Sequence, residues 1–159
     1  MTERHGYLEA ISHVARTHSQ FLEAVKLELE ALGIHDINNI QGLVLFNIGS
    51  GEMTVGKLTL RGCYLGSNVS YNLKKMVENG YLVQERSVHD RRSVHVRLTD
   101  KGVKLRDLML TMHQRHLELL APAEVTDDDL QSAIVTLQRL ERNWIQAGDL
   151  LQRPGLATA

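Results

Sequence analysis

The fold is decided by residues 67–102, which have the sequence SNVSYNLKKMVENGYLVQERSVHDRRSVHVRLTDKG. The hydrophobic period changes after Gly80, from the three- and four-residue steps of a helix to the two-residue alternation of a strand. The apolar stripe of the first part consists of Val69, Leu73, Met76 and Val77. We therefore predict a helix over 67–79, then two short strands at 81–86 and 93–98 that form a hairpin with a basic tip.

The surrounding segments have helical spacing, with a capping residue or a glycine at most of their ends. Gly33 ends the first helix, and Thr54, Thr99 and Thr126 are placed to cap three others. The further helices are predicted over residues 8–32, 37–48, 54–61, 99–121 and 126–151.

The order of these elements predicts a fold that is mainly α with a small β-hairpin wing. The middle elements, over 37–100, form a winged helix-turn-helix lobe within a single domain of 1–159. The flanking segments, 1–35 and 101–151, carry apolar stripes that are too long to stay exposed in a small monomer. We expect a second chain to cover them, so they are predicted to be dimerisation helices.

Composition excludes several classes of protein. The chain of 159 residues is 43% hydrophobic, and its longest apolar runs are too short to cross a bilayer. Its first residues lack the pattern of a signal peptide. The single cysteine, Cys63, excludes an intrachain disulfide and suits a reducing compartment, so we expect a cytoplasmic protein without membrane contact.

Charge is distributed unevenly along the chain. The segment from Lys57 to Arg106 holds eleven basic and four acidic residues, whereas the whole chain has a formal net charge of −1. A basic middle between acidic ends is typical of a surface that binds a polyanion. A solvated charged surface is the alternative.

The predicted helix over 67–79 has a polar face suited to DNA. Asn68, Asn72 and Lys75 are placed opposite the apolar stripe, with Ser70, Tyr71 and Lys74 beside them. Amides and hydroxyls can contact base edges when a helix lies in the major groove, and lysines can contact phosphates. An ordinary polar helix face is the alternative.

The hairpin tip is the second element suited to DNA. An arginine at a narrow tip can enter the minor groove, and a carboxylate two residues earlier can orient it. Asp90 and Arg92 have that spacing, although a simple loop salt bridge is also consistent with it. The wing residues predicted to contact DNA are Arg86, His89, Asp90, Arg91 and Arg92.

These residues resemble a known family. Asp90-Arg91-Arg92, followed after five residues by Leu98-Thr99-Asp100-Lys101-Gly102, is similar to the wing signature of the MarR family of bacterial transcription regulators. The stretch from Val55 to Val83 resembles that family's helix-turn-helix, except that the turn at 61–66 is longer than in typical members. The amino-acid sequence of residues 63–75 resembles that of the LdtR-like branch of the MarR family.

The resemblance implies a homodimer that binds double-stranded DNA at a pseudo-palindromic operator. The N- and C-terminal helices would intertwine, the recognition helix 67–79 would lie in the major groove, and the wing 86–95 in the minor groove. Ser67, Asn68, Ser70 and Tyr71 match the start of the recognition helix, Arg92 is the minor-groove arginine and Asp90 its anchor.

The resemblance also implies a small aromatic or phenolic effector bound between the dimer helices and the DNA-binding lobe. The alternative for each residue of this pocket is plain core packing. The predicted lining is His13, Thr17, Phe21, Leu45, Phe46, Met53, Met109 and Met112.

Other functions have weaker support in the sequence. Cys63 suggests a redox-sensing regulator, but no second cysteine exists to resolve an oxidised thiol. Of the histidine pairs, His113 and His116 have a spacing that shares a helical face, yet solvated or core histidines are favoured over a metal site. No enzyme motif is present, so we predict no catalytic residue, metal or cofactor. A winged-helix module that binds an acidic protein is the remaining alternative.

Overall fold

A computed structural model of the chain describes residues 2–62, 66–88 and 93–151. These residues form two compact units that divide after His113. The predominance of helix and the small sheet confirm the predicted fold class. In chain order the elements are α1 (Thr2–Ala31), α2 (Asn39–Ile48), β1 (Glu52–Thr54), α3 (Val55–Gly62), α4 (Gly66–Glu78), β2 (Leu82–Arg86), β3 (Val94–Leu98), α5 (Asp100–Glu118) and α6 (Asp127–Leu151).

Two helices end at a glycine in the left-handed region, as predicted. Gly33 has a φ of +70°, and the next amide donates to the carbonyl of Leu29 at 2.9 Å. Gly80 has a φ of +78°, and the amide of Tyr81 donates to the carbonyl of Met76 at 2.9 Å. This arrangement satisfies carbonyls that a helix end would otherwise leave unpaired.

Polar caps fix where the helices begin. α2 begins at Asn39, two residues later than predicted, because Asn38 and Gln41 form a capping box. Asn38 Oδ1 accepts from the Gln41 amide at 2.8 Å, and Gln41 Oε1 accepts from the Asn38 amide at 3.0 Å. The predicted caps Thr54 and Thr99 are confirmed, since each hydroxyl accepts from the amide three residues later.

The sheet has three antiparallel strands in the order β1-β3-β2. β2 and β3 form the predicted hairpin, with Leu82 opposite Leu98 and Arg86 opposite Val94. β1 was not predicted, because three residues are too few to show a two-residue period. Met53 of β1 lies opposite Val96, so β1 pairs with the edge of β3 that does not pair with β2.

The core of the first unit fills the space between the helices and the sheet. On α4, Val69, Leu73 and Met76 are fully buried as predicted, but Val77 is exposed. The prediction that Val77 belongs to this stripe is therefore wrong. The other buried hydrophobic residues are Val25, Leu29, Ile37, Val44, Leu45, Ile48, Leu58, Tyr81, Leu82, Val96, Leu98, Leu105, Met109 and Met112.

The second unit contains α6, which begins at the predicted cap. Thr126 Oγ1 accepts from the amide of Asp129 at 3.2 Å, and the Asp129 carboxylate accepts from the Thr126 hydroxyl at 2.6 Å. This hydrogen bond lowers the pKa of Asp129, which keeps a negative charge at the positive end of the helix. Large hydrophobic side chains along α6 are exposed in the single chain, including Ile134, Leu137 and Trp144.

Candidate nucleic-acid interface

The exposed face of α4 carries most of the polar residues predicted to contact DNA. Asn68 and Ser70 are exposed, and Tyr71 is 60% exposed. Ser67 lies in the first turn of the helix, where backbone amides are unpaired within the helix. Lys74 has a side chain that is 76% exposed. The face thus begins with amide and hydroxyl groups and ends with a cation.

Asn72 lies on the other side of α4, so its predicted place on the exposed face is wrong. Asn72 is only 9% exposed, and its Oδ1 accepts a hydrogen bond from Gln41 Nε2 at 3.2 Å. Position 72 is three residues after Val69 and four before Met76, which places it within the buried stripe. The buried amide therefore faces α2.

The second half of α4 combines two lysines with one glutamate. Lys75 Nζ donates to Glu78 Oε2 at 2.9 Å, and Lys74 Nζ lies 4.0 Å from Glu78 Oε1. The hydrogen bond to Glu78 raises the pKa of Lys75. Exposed ion pairs of this kind are weak, so both lysines can turn to a phosphate at little cost.

The wing projects from the sheet toward a tip that lies outside the described residues. Arg86 ends β2 and is exposed, and Val88 is 92% exposed. The predicted contact between Asp90 and Arg92, and the redox alternative for the thiol, are therefore predictions from sequence alone. The predicted site residues outside the described part are Cys63, His89, Asp90, Arg91 and Arg92.

Ionisable side chains at the base of the wing are paired within the protein. Arg97 Nη2 donates to Glu85 Oε1 at 3.4 Å, and His95 Nδ1 lies 3.2 Å from Glu52 Oε1. The Arg97 and Glu85 side chains are 53% and 60% exposed. The base of the wing thus carries mixed charge, in contrast to the basic sequence of the tip.

A polar groove separates α4 from the wing. Its volume is about 630 Å³, and it is lined by the start of α3, the middle of α4 and the strands β2 and β3. Ser70 and Lys74 of α4 face Gln84 and Ser93 of the wing across it. The polar side chains of its lining can donate hydrogen bonds, and Lys74 is cationic, whereas Val55, Leu73 and Val94 add apolar surface.

The end of α4 is joined to the start of α5 through one carboxylate that the sequence did not single out. Asp36, in the α1–α2 loop, accepts from Tyr81 Oη and from Lys101 Nζ, both at 2.6 Å. Lys101 Nζ also donates to the Asn79 carbonyl at 2.8 Å and lies 4.1 Å from the centre of the Tyr81 ring. A side chain at Gly102 would collide with the Tyr81 carbonyl oxygen. We call Asp36, Tyr81 and Lys101 the Asp36 cluster.

Hydrogen bonding in the Asp36 cluster favours the charged carboxylate. Partial burial acts to raise the pKa of Asp36, but the hydrogen bonds from Lys101 and Tyr81 outweigh it and hold the pKa below its ordinary value. Burial and the hydrogen bond to Asp36 raise the pKa of Tyr81 well above its ordinary value. Asp36 is therefore an anion and Tyr81 a neutral donor at physiological pH.

The residues predicted to bind an effector separate into three groups. Leu45, Met109 and Met112 are buried in the core, which supports the core-packing alternative for them. Phe21 and Phe46 are half-buried and meet at His113, with ring centres 6.1 Å and 4.8 Å away. His113 was not predicted to belong to this group.

The remaining predicted residues lie nearer the surface. His13 and Thr17 are exposed on α1, where His13 contacts Arg16, and Met53 is half-buried in β1. The structure therefore brings Phe21 and Phe46 together around His113. For His13, Thr17 and Met53 a role in the effector pocket stays a prediction.

Within residues 2–62, 66–88 and 93–151, no helix is long and apolar enough to cross a membrane. The same residues contain no group of three or more His, Cys, Asp or Glu side chains placed to hold a metal ion.

Comparison with known proteins agrees with this geometry. Residues 37–102 match the model of a winged helix DNA-binding domain. The exopolysaccharide II synthesis transcriptional activator ExpG of Rhizobium meliloti (strain 1021) is 35% identical over 138 residues, which cover 87% of this chain and 71% of that protein.

Two solved structures share the fold. FabT of Streptococcus pneumoniae in complex with DNA has a TM-score of 0.69 at 20% identity, covering 89% of this chain and 99% of FabT. Staphylococcus aureus MarR in complex with salicylate and kanamycin has a TM-score of 0.69 at 21% identity, covering 88% of this chain and 93% of that one.

The fold, the exposed polar face of α4 and the matched domain define a winged-helix DNA-binding transcription regulator. The chain belongs to the MarR family of these regulators, as the resemblance of its wing signature predicted. Of these proteins, ExpG is a transcriptional activator, and FabT was solved in complex with DNA. Membership of the LdtR-like branch stays a prediction, because none of these similar proteins tests it.

Proposed function

We propose that this chain acts as a homodimer that places α4 of each copy in a major groove and each wing in the adjacent minor groove. The observation that carries the proposal is the exposed face of α4, where Asn68, Ser70 and Tyr71 are followed by Lys74. We also propose a cytoplasmic location, because the relative ExpG is a bacterial transcriptional activator and bacterial DNA lies in the cytoplasm.

The exposed groups of α4 suit two kinds of DNA contact. The Asn68 amide can donate and accept at one adenine, and Ser70 can contact more than one base. Lys74 and Lys75 carry charge near the end of the helix, and Lys74 borders the groove, where the phosphate backbone would pass. The wing would then supply Arg92, oriented by Asp90, to the minor groove.

The flanking helices support a dimer. Tyr7 and Leu8 near the start of α1 are 43% and 59% exposed, and the stripe of α6 is exposed within one chain. A second copy would cover these exposed apolar side chains. Two copies related by a two-fold axis would bind half-sites about 34–36 Å apart, one turn of DNA.

A small aromatic effector is the proposed signal. The support is the half-buried aromatic cluster of Phe21, Phe46 and His113, together with the salicylate in the Staphylococcus aureus relative. Salicylate serves as the probe: it should weaken operator binding by the natural protein and have a smaller effect on Phe46→Ala. An equal effect on both proteins would remove Phe46 from the proposed pocket.

The test of the proposed function is a salt titration on two duplexes. Fragments bound from genomic DNA supply the operator, and fluorescence anisotropy measures its affinity beside that of a random duplex. We expect the logarithm of both affinities to fall linearly with the logarithm of salt, with the operator bound more tightly throughout. Absence of duplex binding at low salt would favour the winged-helix module that binds an acidic protein.

A further inference from the structure

The buried side of α4 contains one polar side chain among apolar ones. Val69, Leu73 and Met76 are each no more than 2% exposed, and Asn72 lies between them at 9%. A buried amide is costly unless it is hydrogen-bonded, whereas leucine at this position would pack without that requirement. What Asn72 contacts therefore indicates why an amide stands there.

The partner of Asn72 is itself held in one orientation. Gln41 of α2 is 5% exposed, and its Oε1 accepts from the amide of Asn38 in the capping box. Because that side of the Gln41 amide must be the acceptor, the opposite side is the donor. Gln41 Nε2 accordingly donates to Asn72 Oδ1 at 3.2 Å. The start of α2 is thus linked directly to the middle of α4.

A directional bond controls a helix in a way that apolar contacts do not. Leucine and methionine side chains repack when a helix rotates about its axis, but a buried hydrogen bond is lost. A rotation of roughly 20° moves the outer side chains of a helix by about 2 Å, which is more than a hydrogen bond to a base tolerates. Asn68 is one turn before Asn72 and Tyr71 is its neighbour, so both would move.

We propose that Gln41 and Asn72 are positioning residues that set the rotation of α4 and thereby the base specificity of the protein. The inference rests on the proposed placement of α4 in the major groove. Asn72 contacts no base itself, because its amide is turned toward α2. Contacts to phosphate depend on flexible lysines, so binding to random DNA does not require the same rotation.

Four variants test this inference: Gln41→Met, Asn72→Leu, the double variant, and Asn68→Ala as the matched loss of an exposed amide. The measurement is the ratio of operator affinity to random-duplex affinity at one salt concentration, with the melting temperature recorded for each variant. Each single buried variant should lower the ratio by about tenfold or more, while random-duplex affinity stays within about twofold. The double variant should lose no more than Gln41→Met alone, because both single changes remove the Gln41–Asn72 bond and only Gln41→Met also removes the bond to the Asn38 amide.

The four variants also separate this role from a direct contact. If Asn72→Leu lowers the ratio and Gln41→Met leaves it unchanged, Asn72 acts alone and the inference is wrong. Additive losses in the double variant would equally contradict it. Asn68→Ala should lower the ratio and add to Gln41→Met, since it removes a different contact.

Asn72→Asp keeps the test decisive if a buried variant folds poorly. Aspartate retains an oxygen for Gln41 Nε2, so the ratio should stay near that of the natural protein while both affinities fall because of the added negative charge. A decrease in the ratio of operator affinity to random-duplex affinity as large as that in Asn72→Leu would overturn the inference. A natural protein that binds operator and random duplex equally would instead contradict the proposed function.

Discussion

Asp36 shows how one side chain can hold three segments of this protein together. Its carboxylate lies in the α1–α2 loop, yet it accepts hydrogen bonds from Tyr81, just after α4, and from Lys101, in the first turn of α5. Lys101 also caps the end of α4 through the Asn79 carbonyl. The position of α4 relative to the start of α5 therefore depends on a charged group.

This dependence predicts a pH effect. The pKa of Asp36 is lower in the folded protein than in the unfolded chain, so its contribution to the free energy of unfolding is complete above about pH 5. The contribution is lost as the pH falls below about 4 and through the folded-state pKa. Asp36→Asn should be less stable than the natural protein at pH 7, and the difference should shrink in acid.

Denaturant unfolding at a series of pH values measures this difference. Asp107→Asn is the control, because Asp107 is an exposed carboxylate paired with its neighbour Arg106. At pH 7 the free energy of unfolding of Asp107→Asn should differ less from that of the natural protein than the free energy of unfolding of Asp36→Asn does. A difference between the natural protein and Asp36→Asn that does not change from pH 7 to pH 3 would contradict the role assigned to the Asp36 cluster.

At the scale of elements, the wing divides into a paired base and a basic tip. Arg97 lies at the base and contacts Glu85, whereas Arg92 belongs to the tip that the sequence predicts to enter the minor groove. Two arginines of the wing thus have different expected roles, although each substitution removes one positive charge.

We expect Arg92→Ala to weaken operator binding by about tenfold or more, in line with the loss of a charge-assisted contact of ~1.5–3 kcal/mol. Arg97→Ala, the matched control, should weaken it much less, because its guanidinium is already paired with Glu85. Anisotropy titrations with the operator measure both. Equal losses in the two variants would mean that only total charge matters and that Arg92 has no special contact.

Some elements could be predicted from sequence because their signals are local. The stripe on α4, the glycine after it and the alternation in β3 all lie within a few residues of the element they define. β1 was missed because its strand character comes from pairing with β3, more than forty residues away in sequence. A three-residue segment has too little pattern of its own.

The site was predicted in part for the same reason. The exposure of residues such as Asn68 and Lys74 follows from helical spacing. Asn72 was misplaced because a polar side chain is ordinarily assigned to the surface, and its partner Gln41 is 31 residues upstream. The Asp36 cluster was missed for a similar reason, since Asp36 and Lys101 are 65 residues apart.

At the scale of the whole molecule, the basic segment and the apolar stripes lie in different parts of the chain. The residues from Lys57 to Arg106 carry the excess positive charge, and the rest carries the excess negative charge. α6 leaves Ile134, Leu137 and Trp144 exposed at 45%, 47% and 40%. Exposure of a regular apolar stripe is unusual for a lone chain, which favours burial against a second copy.

If α6 belongs to a dimer interface, a charge within its stripe should separate the copies. Ile134→Glu would place a carboxylate in an apolar contact, where it lacks a partner and is costly to desolvate. Sedimentation at micromolar concentration should show the natural protein as a dimer and this variant as a monomer. Ser132→Glu is the control, because residue 132 is about 200° around the helix from 134 and should leave the dimer intact.

The same variant connects assembly to DNA binding. A monomer contacts one half-site, so Ile134→Glu should bind the operator far more weakly than the natural protein, while an isolated half-site should bind both with similar affinity. A variant that sediments as the natural protein does would remove α6 from the interface. A monomer that keeps full operator affinity would show instead that one copy of α4 and its wing suffices, and the pseudo-palindrome would then have no physical basis in this chain.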